Sequence, residues 1–341
     1  MSTDDCPDAS PPSAAAPDPR RASEVFRAPL LGAAGVALTA AEREFFMAHG
    51  FLVKPRLIGD DLLEPAMDRL WAHLLAAVPV RAGSRWRLRR EVRETWVDPQ
   101  WATMPPHPSS GPHEGRQPVE YYGRIVKLHD IGDQDFLLDL LPRHPQVLAV
   151  AHAMLAPRLR PMMRMRGVYP VFPTRDPDDP GGTQRIRGQA LGPHTDEVCQ
   201  QLNVCLYLQD VGPRNGGFTV YPGSHARIYA AHAHAANYSP LPTYPATVRA
   251  VLEDTTPLEL VAPRGSVIFW HGRLLHSAGI HVGDDIRWAA FADFTQDRPV
   301  LGDDEHRALG QYEWFKDAKR FRDDDPVGPD MWAQWRLRAV H

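Results

Sequence analysis

His194-Thr195-Asp196, Gly216-Gly217-Phe218-Thr219-Val220-Tyr221-Pro222-Gly223-Ser224-His225 and Arg264-Gly265-Ser266-Val267-Ile268-Phe269-Trp270 are the pieces on which the reading of this chain turns, the last running on to His276 and Arg287. The second and third join a short apolar run to Gly/Pro punctuation, the pattern of strands linked by tight turns. In an extended segment side chains alternate with period two, so His194 and Asp196 face one side and can share a cation. A strand over 266–270 followed by His276 offers a second imidazole, and in a jelly roll those strand ends meet at the mouth of the barrel. Two imidazoles and a carboxylate on one face of a metal, with the other positions open, form the ligand set of a non-haem Fe(II) site. HxD alone is a weak signal in a chain with 16 His, and His271 competes with His276 for the second imidazole. Order and context carry the reading: the HxD precedes an alternating apolar run, and the second strand and its histidine follow later in the chain.

Outward from these pieces, strands are expected over 162–172, 183–191, 200–208, 217–221, 258–261, 266–270 and 286–294. Turn clusters at 177–182 and 212–216 separate them. Many short strands of this kind argue for a mainly β fold with α additions, a jelly roll with a helical N-terminal layer. That layer is read from Thr39 capping a helix over 40–47 with Gly50 as its stop, a strand at 51–53, and a helix from Asp60 to about Ala77 with apolar residues at helical spacing. A strand is expected over 121–129 and helices over 136–141 and 145–155. Residues 79–118, rich in Arg, Trp, Pro and His, read as an irregular insertion. It is either a lid over a substrate or a surface excursion with Trp86, Trp96 and Trp101 in the core. Residues 1–24 read as a disordered tail, residues 25–300 as the jelly-roll domain, and residues 301–341 as a helical C-terminal extension.

The 341 residues suffice for one large core. Charged residues are 23% and hydrophobic ones 43%, the balance of a soluble globular protein. With a formal net charge of -4 and no long basic run, nucleic acid is not an expected partner. The three cysteines form neither a disulfide framework nor a CxxC metal pair. The apolar patch at 28–40 is too short and Gly-interrupted to span a bilayer. The expectation is a soluble, cytoplasmic protein, monomer or homodimer, with no membrane partner. His232 and His234 fall in an Ala-rich segment read as helical, and His225 reads as a turn residue.

With these motifs in place, the chain resembles the phytanoyl-CoA dioxygenase family of Fe(II)/2-oxoglutarate oxygenases from about Phe46 to Phe294. The motifs that carry the resemblance are His194-Thr195-Asp196, the Asn215-Gly216 turn leading to Pro222-Gly223-Ser224-His225, and the Gly265–His276–Arg287 block. The intervals within that block match the family's, which selects His276 over His271. The resemblance implies a double-stranded β-helix (cupin-like) core, and His194, Asp196 and His276 as iron ligands. It implies Arg287 as the partner of the distal carboxylate of 2-oxoglutarate, a task suited to a planar, always charged fork. Lys127 matches an upstream lysine that reaches the same cosubstrate. Fe(II), 2-oxoglutarate and O2 would then serve to oxidise an unactivated C–H bond of a small molecule, releasing succinate and CO2. Asp196 favours hydroxylation, because halogenating relatives replace this carboxylate with a small residue. Two positions depart from the family pattern: Cys205 stands where a Trp is found, and Ala278 where a Ser is found, with Ser277 displaced by one. The alternatives are a non-catalytic jelly-roll ligand-binding protein and a cupin-like metalloenzyme that does not use 2-oxoglutarate.

Overall fold

In the computed structural model, the residues described are 24–27, 37–103 other than 79 and 81, 119–155, 159–178 other than 161, 163 and 177, 190–196, 201–234, 240–296 and 326–337. In chain order they form β1 (Glu24–Arg27), α1 (Ala40–His49), β2 (Phe51–Lys54), α2 (Asp60–Ala77), β3 (Val119–Tyr122), β4 (Ile125–Leu128), α3 (Asp135–Leu140), α4 (Pro145–Leu155) and β5 (Gly167–Val171). Then come β6 (Leu202–Tyr207), β7 (Phe218–Val220), α5 (Ser224–Ala230), α6 (Tyr244–Asp254), β8 (Leu258–Val261), β9 (Val267–His271), β10 (His276–Ala278) and β11 (Arg287–Phe294).

The strands make two sheets. The larger runs β2-β9-β6-β11-β5-β4-β3 and the smaller β1-β8-β7-β10. Together they give the mainly β jelly roll expected, with α1 and α2 in the helical layer.

β11 shows why these sequences fold as they do. All eight of its residues are buried, because the sheet is covered on both faces, which is why the stretch reads as a near-continuous apolar run. Trp288, Ala290, Ala292 and Phe294 join one cluster with Leu63, Leu70 and Trp71 of α2 and Val147, Val150 and Met154 of α4. Ala289 and Phe291, on the opposite face, join Cys205, Tyr207, Phe218 and Trp270 inside the roll. The period of two that sorts these side chains also sends Arg287 and Asp293 inward.

The N-terminal layer begins with a capping box: Glu42 N–H donates to the Thr39 hydroxyl at 3.2 Å, and Thr39 N–H donates to the Glu42 carboxylate at 2.8 Å. The same carboxylate accepts from Lys54 Nζ on β2 at 2.6 Å, so helix start and neighbouring strand share one buried acid. In the insertion, Trp101 is packed edge-on against Phe172 at 4.9 Å and Trp96 lies 5.5 Å from Trp71. The described part is therefore a wall anchored in the core; 104–118 lie outside the described residues.

Several local expectations are corrected. The strand expected over 121–129 is a hairpin, β3 paired antiparallel with β4, because Gly123 turns the chain at φ 52. The strand expected over 162–172 is confined to 167–171. Pro222-Gly223 leads into α5, with Gly223 at φ 77, so His225 is helical. His232 and His234 sit in isolated bridges rather than a helix. The strand over 183–191 and the tail over 1–24 lie outside the described residues, save for bends at 190–191 and for Glu24 in β1. The helical extension over 301–341 is described only at 326–337, where the chain runs in turns and sets Trp332 and Trp335 on Phe46. Among the described residues no helix is long and apolar enough to cross a membrane.

Two glycines separate conformational cost from close packing. Gly265 and Gly83 have φ of +78° and +76°, but a Cβ on Gly265 would stand 2.2 Å from Ile58 O, whereas a Cβ on Gly83 meets nothing within 4 Å. Gly83→Ala should cost about 1–2 kcal/mol, the left-handed penalty alone, and Gly265→Ala clearly more. Urea unfolding of the two variants checks this; equal losses would show that the Ile58 contact yields freely.

Candidate active site

His276 opens β10, which pairs with β7 through His276↔Val220 and Ala278↔Phe218. On its other edge it meets the HxD segment. His194 N–H donates to His276 O at 2.9 Å, His276 N–H donates to His194 O at 3.0 Å, and Ala278 N–H donates to Leu191 O at 3.0 Å. The HxD is thus an added rung on the smaller sheet.

The rung sets the two rings 4.4 Å apart between centroids. Nδ1 of His194 lies 2.8 Å from Gly192 O, and Nδ1 of His276 lies 2.9 Å from Leu274 O. A carbonyl only accepts, so each Nδ1 carries the proton and each Nε2 keeps a lone pair for a metal. Burial, then His276, pushes His194 down to about 4, and burial also lowers His276. Both rings are neutral near pH 7, as metal ligands must be.

Asp196 completes the set, with Oδ2 at 3.8 Å from His276 Nε2. One ligand atom from each of the three residues lies within 4.8 Å of the others, a spacing no other such group among the described residues attains. Burial works to raise the Asp196 pKa, but Arg166, followed by the two imidazoles, outweighs it and holds the carboxyl well below the usual range. Arg166 Nη1 sits 3.0 Å from Asp196 Oδ1, and Asn203 Nδ2 donates to Asp196 Oδ2 at 3.0 Å. The guanidinium is itself forked on Asp293, with Nε donating to Oδ2 at 2.8 Å and Nη2 lying 2.6 Å from Oδ1.

The triad, Arg287 and Lys127 line one cavity, with Phe218, Trp270 and Phe291 among its apolar walls. Arg287 Nε donates to Gly216 O at 2.9 Å. Its Nη1 is buried and has no hydrogen-bond partner among the described residues, and burial lowers the pKa of the group. Beside it, Tyr207 ties the sheets together: its hydroxyl donates to Leu260 O at 2.8 Å and accepts from Phe218 N–H at 2.7 Å. Lys127 projects from β4, 3.7 Å from Glu120 and 5.7 Å from the Tyr169 ring. Burial lowers its pKa, opposed by Glu120 and Asp196.

Cys205 is a fully buried member of the interior cluster, its thiol pushed up to about 12 by burial. Ser277 and Ala278 both line the cavity. His271 lies outside the cluster; its Nδ1 accepts from Arg273 N–H at 3.0 Å and its ring stacks on Trp335 at 5.1 Å. Arg166, Asp293, Asn203, Glu120 and Tyr169 were not singled out from sequence. Asp293 and Asn203 had a signal, each a polar residue at an inward position of an apolar strand; Arg166 had none.

The family model described as phytanoyl-CoA dioxygenase (PhyH) matches residues 179–289, a segment that contains the triad and Arg287 but neither Lys127 nor Asp293. Through this segment, about a third of its length, the chain is similar to the phytanoyl-CoA dioxygenase family. No curated protein matches the sequence. Among solved structures, the chain is similar to the non-heme alpha-ketoglutarate-dependent carbocyclase SnoK from nogalamycin biosynthesis, at 16% identity and TM-score 0.45, over 88% of this chain and 98% of that one. It is also similar to AviO1 from Streptomyces viridochromogenes Tue57, at 19% identity and TM-score 0.45, over 77% and 96%. A third is EctD from S. alaskensis with 2-oxoglutarate and 5-hydroxyectoine, at 14% identity and TM-score 0.47, over 89% and 91%.

The buried neutral histidines give this protein a definite acid limit. His194, His225 and His232 are each pushed down to about 4, mainly by burial. The unfolded chain takes up protons near the ordinary histidine pKa of about 6.5, which the folded chain refuses. Their contribution to stability is therefore complete above about pH 6.5 and lost as pH falls from there toward 4. Thermal unfolding of the metal-free protein should show Tm falling from pH 7.5 to pH 5, with His225→Gln flattening that fall; a Tm independent of pH in this window would contradict the assignment.

Proposed function

We propose that this protein is an Fe(II)- and 2-oxoglutarate-dependent oxygenase, a hydroxylase acting on an unactivated C–H bond of a small molecule. In this reading His194, Asp196 and His276 hold Fe(II), and Arg287 and Lys127 receive 2-oxoglutarate. The observation that carries the reading is the convergence of five residues from separate stretches on one cavity. The donor set fits the metal: two imidazoles with Nδ1 committed to carbonyls, and one carboxylate held ionised. The far wall fits a carboxylate, because Arg287 presents a buried Nη1 with no partner among the described residues. When bound, Fe(II) and 2-oxoglutarate supply oxidative decarboxylation to succinate and CO2 and the oxidising power to break the C–H bond.

The protein's own part is placement and exclusion of water. The backbone rung keeps the imidazoles from swinging apart. Gly216 O fixes the guanidinium plane through Nε, leaving Nη1 directed at a carboxylate with the bidentate geometry that favours Arg over Lys. Phe218 stacks on His276 at 5.1 Å and Trp270 lies 5.6 Å from the same ring, so apolar surface rather than water flanks that ligand. Retention of Asp196 supports hydroxylation over halogenation, since the carboxylate occupies the place a halide would need.

His194→Ala, Asp196→Ala and His276→Ala should each abolish 2-oxoglutarate-dependent succinate release, while Arg287→Ala raises the KM for 2-oxoglutarate by on the order of a hundredfold, the loss of a charge-assisted pair. The assay is succinate formation under saturating Fe(II). Succinate release at the wild-type rate from Asp196→Ala would sink the proposal.

A further inference from the structure

Arg166 reaches the site through a break in strand alternation. Phe291 of β11 is in register with Gly167, yet Arg166 N–H donates to Phe291 O at 3.0 Å. Arg166, immediately before β5, therefore bonds one residue out of the register that β5 keeps with β11. Gly167 adopts φ +119°, and a Cβ there would stand 2.1 Å from Leu128 O, so this break at the start of β5 is built on a glycine. Residues three apart in a regular strand face opposite ways, but Arg166 and Tyr169 both line the cavity. The break in register at Gly167 re-aims the guanidinium.

What it is aimed at is one oxygen of one carboxylate. Asp293 holds Nε and Nη2, which fixes the guanidinium plane and leaves Nη1 against Asp196 Oδ1 at 3.0 Å. Asn203 holds Oδ2 at 3.0 Å and stops the carboxylate from rotating. Oδ2 is the oxygen that faces His276 Nε2, at 3.8 Å. A cation arriving between the imidazoles meets Oδ2 directly and meets the positive charge of Arg166 at Oδ1.

We propose that Arg166, clamped by Asp293, is a positioning residue that keeps Asp196 a one-oxygen ligand. A carboxylate chelating through both oxygens would take a fourth place on the metal, and 2-oxoglutarate and a third group need the three that a facial triad leaves open. The inference rests on reading the triad as the metal site. An ion pair that served only the fold would leave the metal's coordination unchanged when removed.

The test uses the full-length protein with Co(II) in place of Fe(II), reading visible absorption at saturating metal and its change on titration with 2-oxoglutarate. Arg166→Met should alter the Co(II) spectrum before any cosubstrate is added and weaken 2-oxoglutarate binding by roughly ten- to a hundredfold, the usual loss when a group holding a metal ligand is removed. Arg166→Lys, which keeps the charge but not the fork, should shift both readings part of the way. A wild-type spectrum and wild-type 2-oxoglutarate affinity in Arg166→Met overturn the inference and leave the triad standing. Should near-UV circular dichroism show Arg166→Met unfolded, Arg166→Lys and Asp293→Asn decide it, unchanged spectra in both being the overturning result. Failure of the wild-type protein to bind Co(II) overturns the triad reading itself and this inference with it.

Discussion

Two hydrogen bonds between the backbones of His194 and His276 hold the site together. Because each residue donates to the other, the distance between the rings is set by main-chain geometry rather than by side-chain packing. The rung depends in turn on β10 lying against β7, and β7 is tied to the larger sheet by the Tyr207 hydroxyl. Side chains far apart in sequence are thus brought together by folding itself, so a metal held between them would not have to supply that ordering entropy.

Burial settles the chemistry of these groups as much as contact does. Both imidazoles stay neutral because a charged ring would lose its hydration. Asp196 stays ionised in the same surroundings because a guanidinium lies against it. One environment gives opposite outcomes for base and acid, and both outcomes are those a divalent cation requires.

The parts of this architecture legible in sequence are those where period and punctuation agree. α1 was marked by Thr39, Glu42 and Gly50, and capping box and stop are both present. β9 and β11 were marked by apolar runs between turns. The triad was legible because its members sit on strand ends next to those runs, and the family intervals chose His276 where spacing alone left His271 open. The 121–129 hairpin was missed because a single glycine at positive φ reverses a stretch whose composition is continuous. The helix carrying His225 was missed because Pro222-Gly223 reads equally as a turn between strands. Arg166 was invisible for a deeper reason: the register breaks at Gly167, at the start of β5, so parity places this side chain on the wrong face.

The two buried arginines make the final distinction. Arg166 lies between two carboxylates, which compensate its charge and, against the cost of burial, raise its pKa. Arg287 is equally buried, but among the described residues its guanidinium meets only the Gly216 carbonyl, with the Cys205 and Tyr207 side chains nearby. Among the described residues no acid offsets its burial, and its pKa is lowered. A buried charge without a counter-ion is costly to keep, and the described residues, which elsewhere provide Asp293 for Arg166 and Glu42 for Lys54, provide none here. The absence of a carboxylate beside Arg287 among the described residues is the feature on which the proposal of a carboxylate-bearing cosubstrate rests.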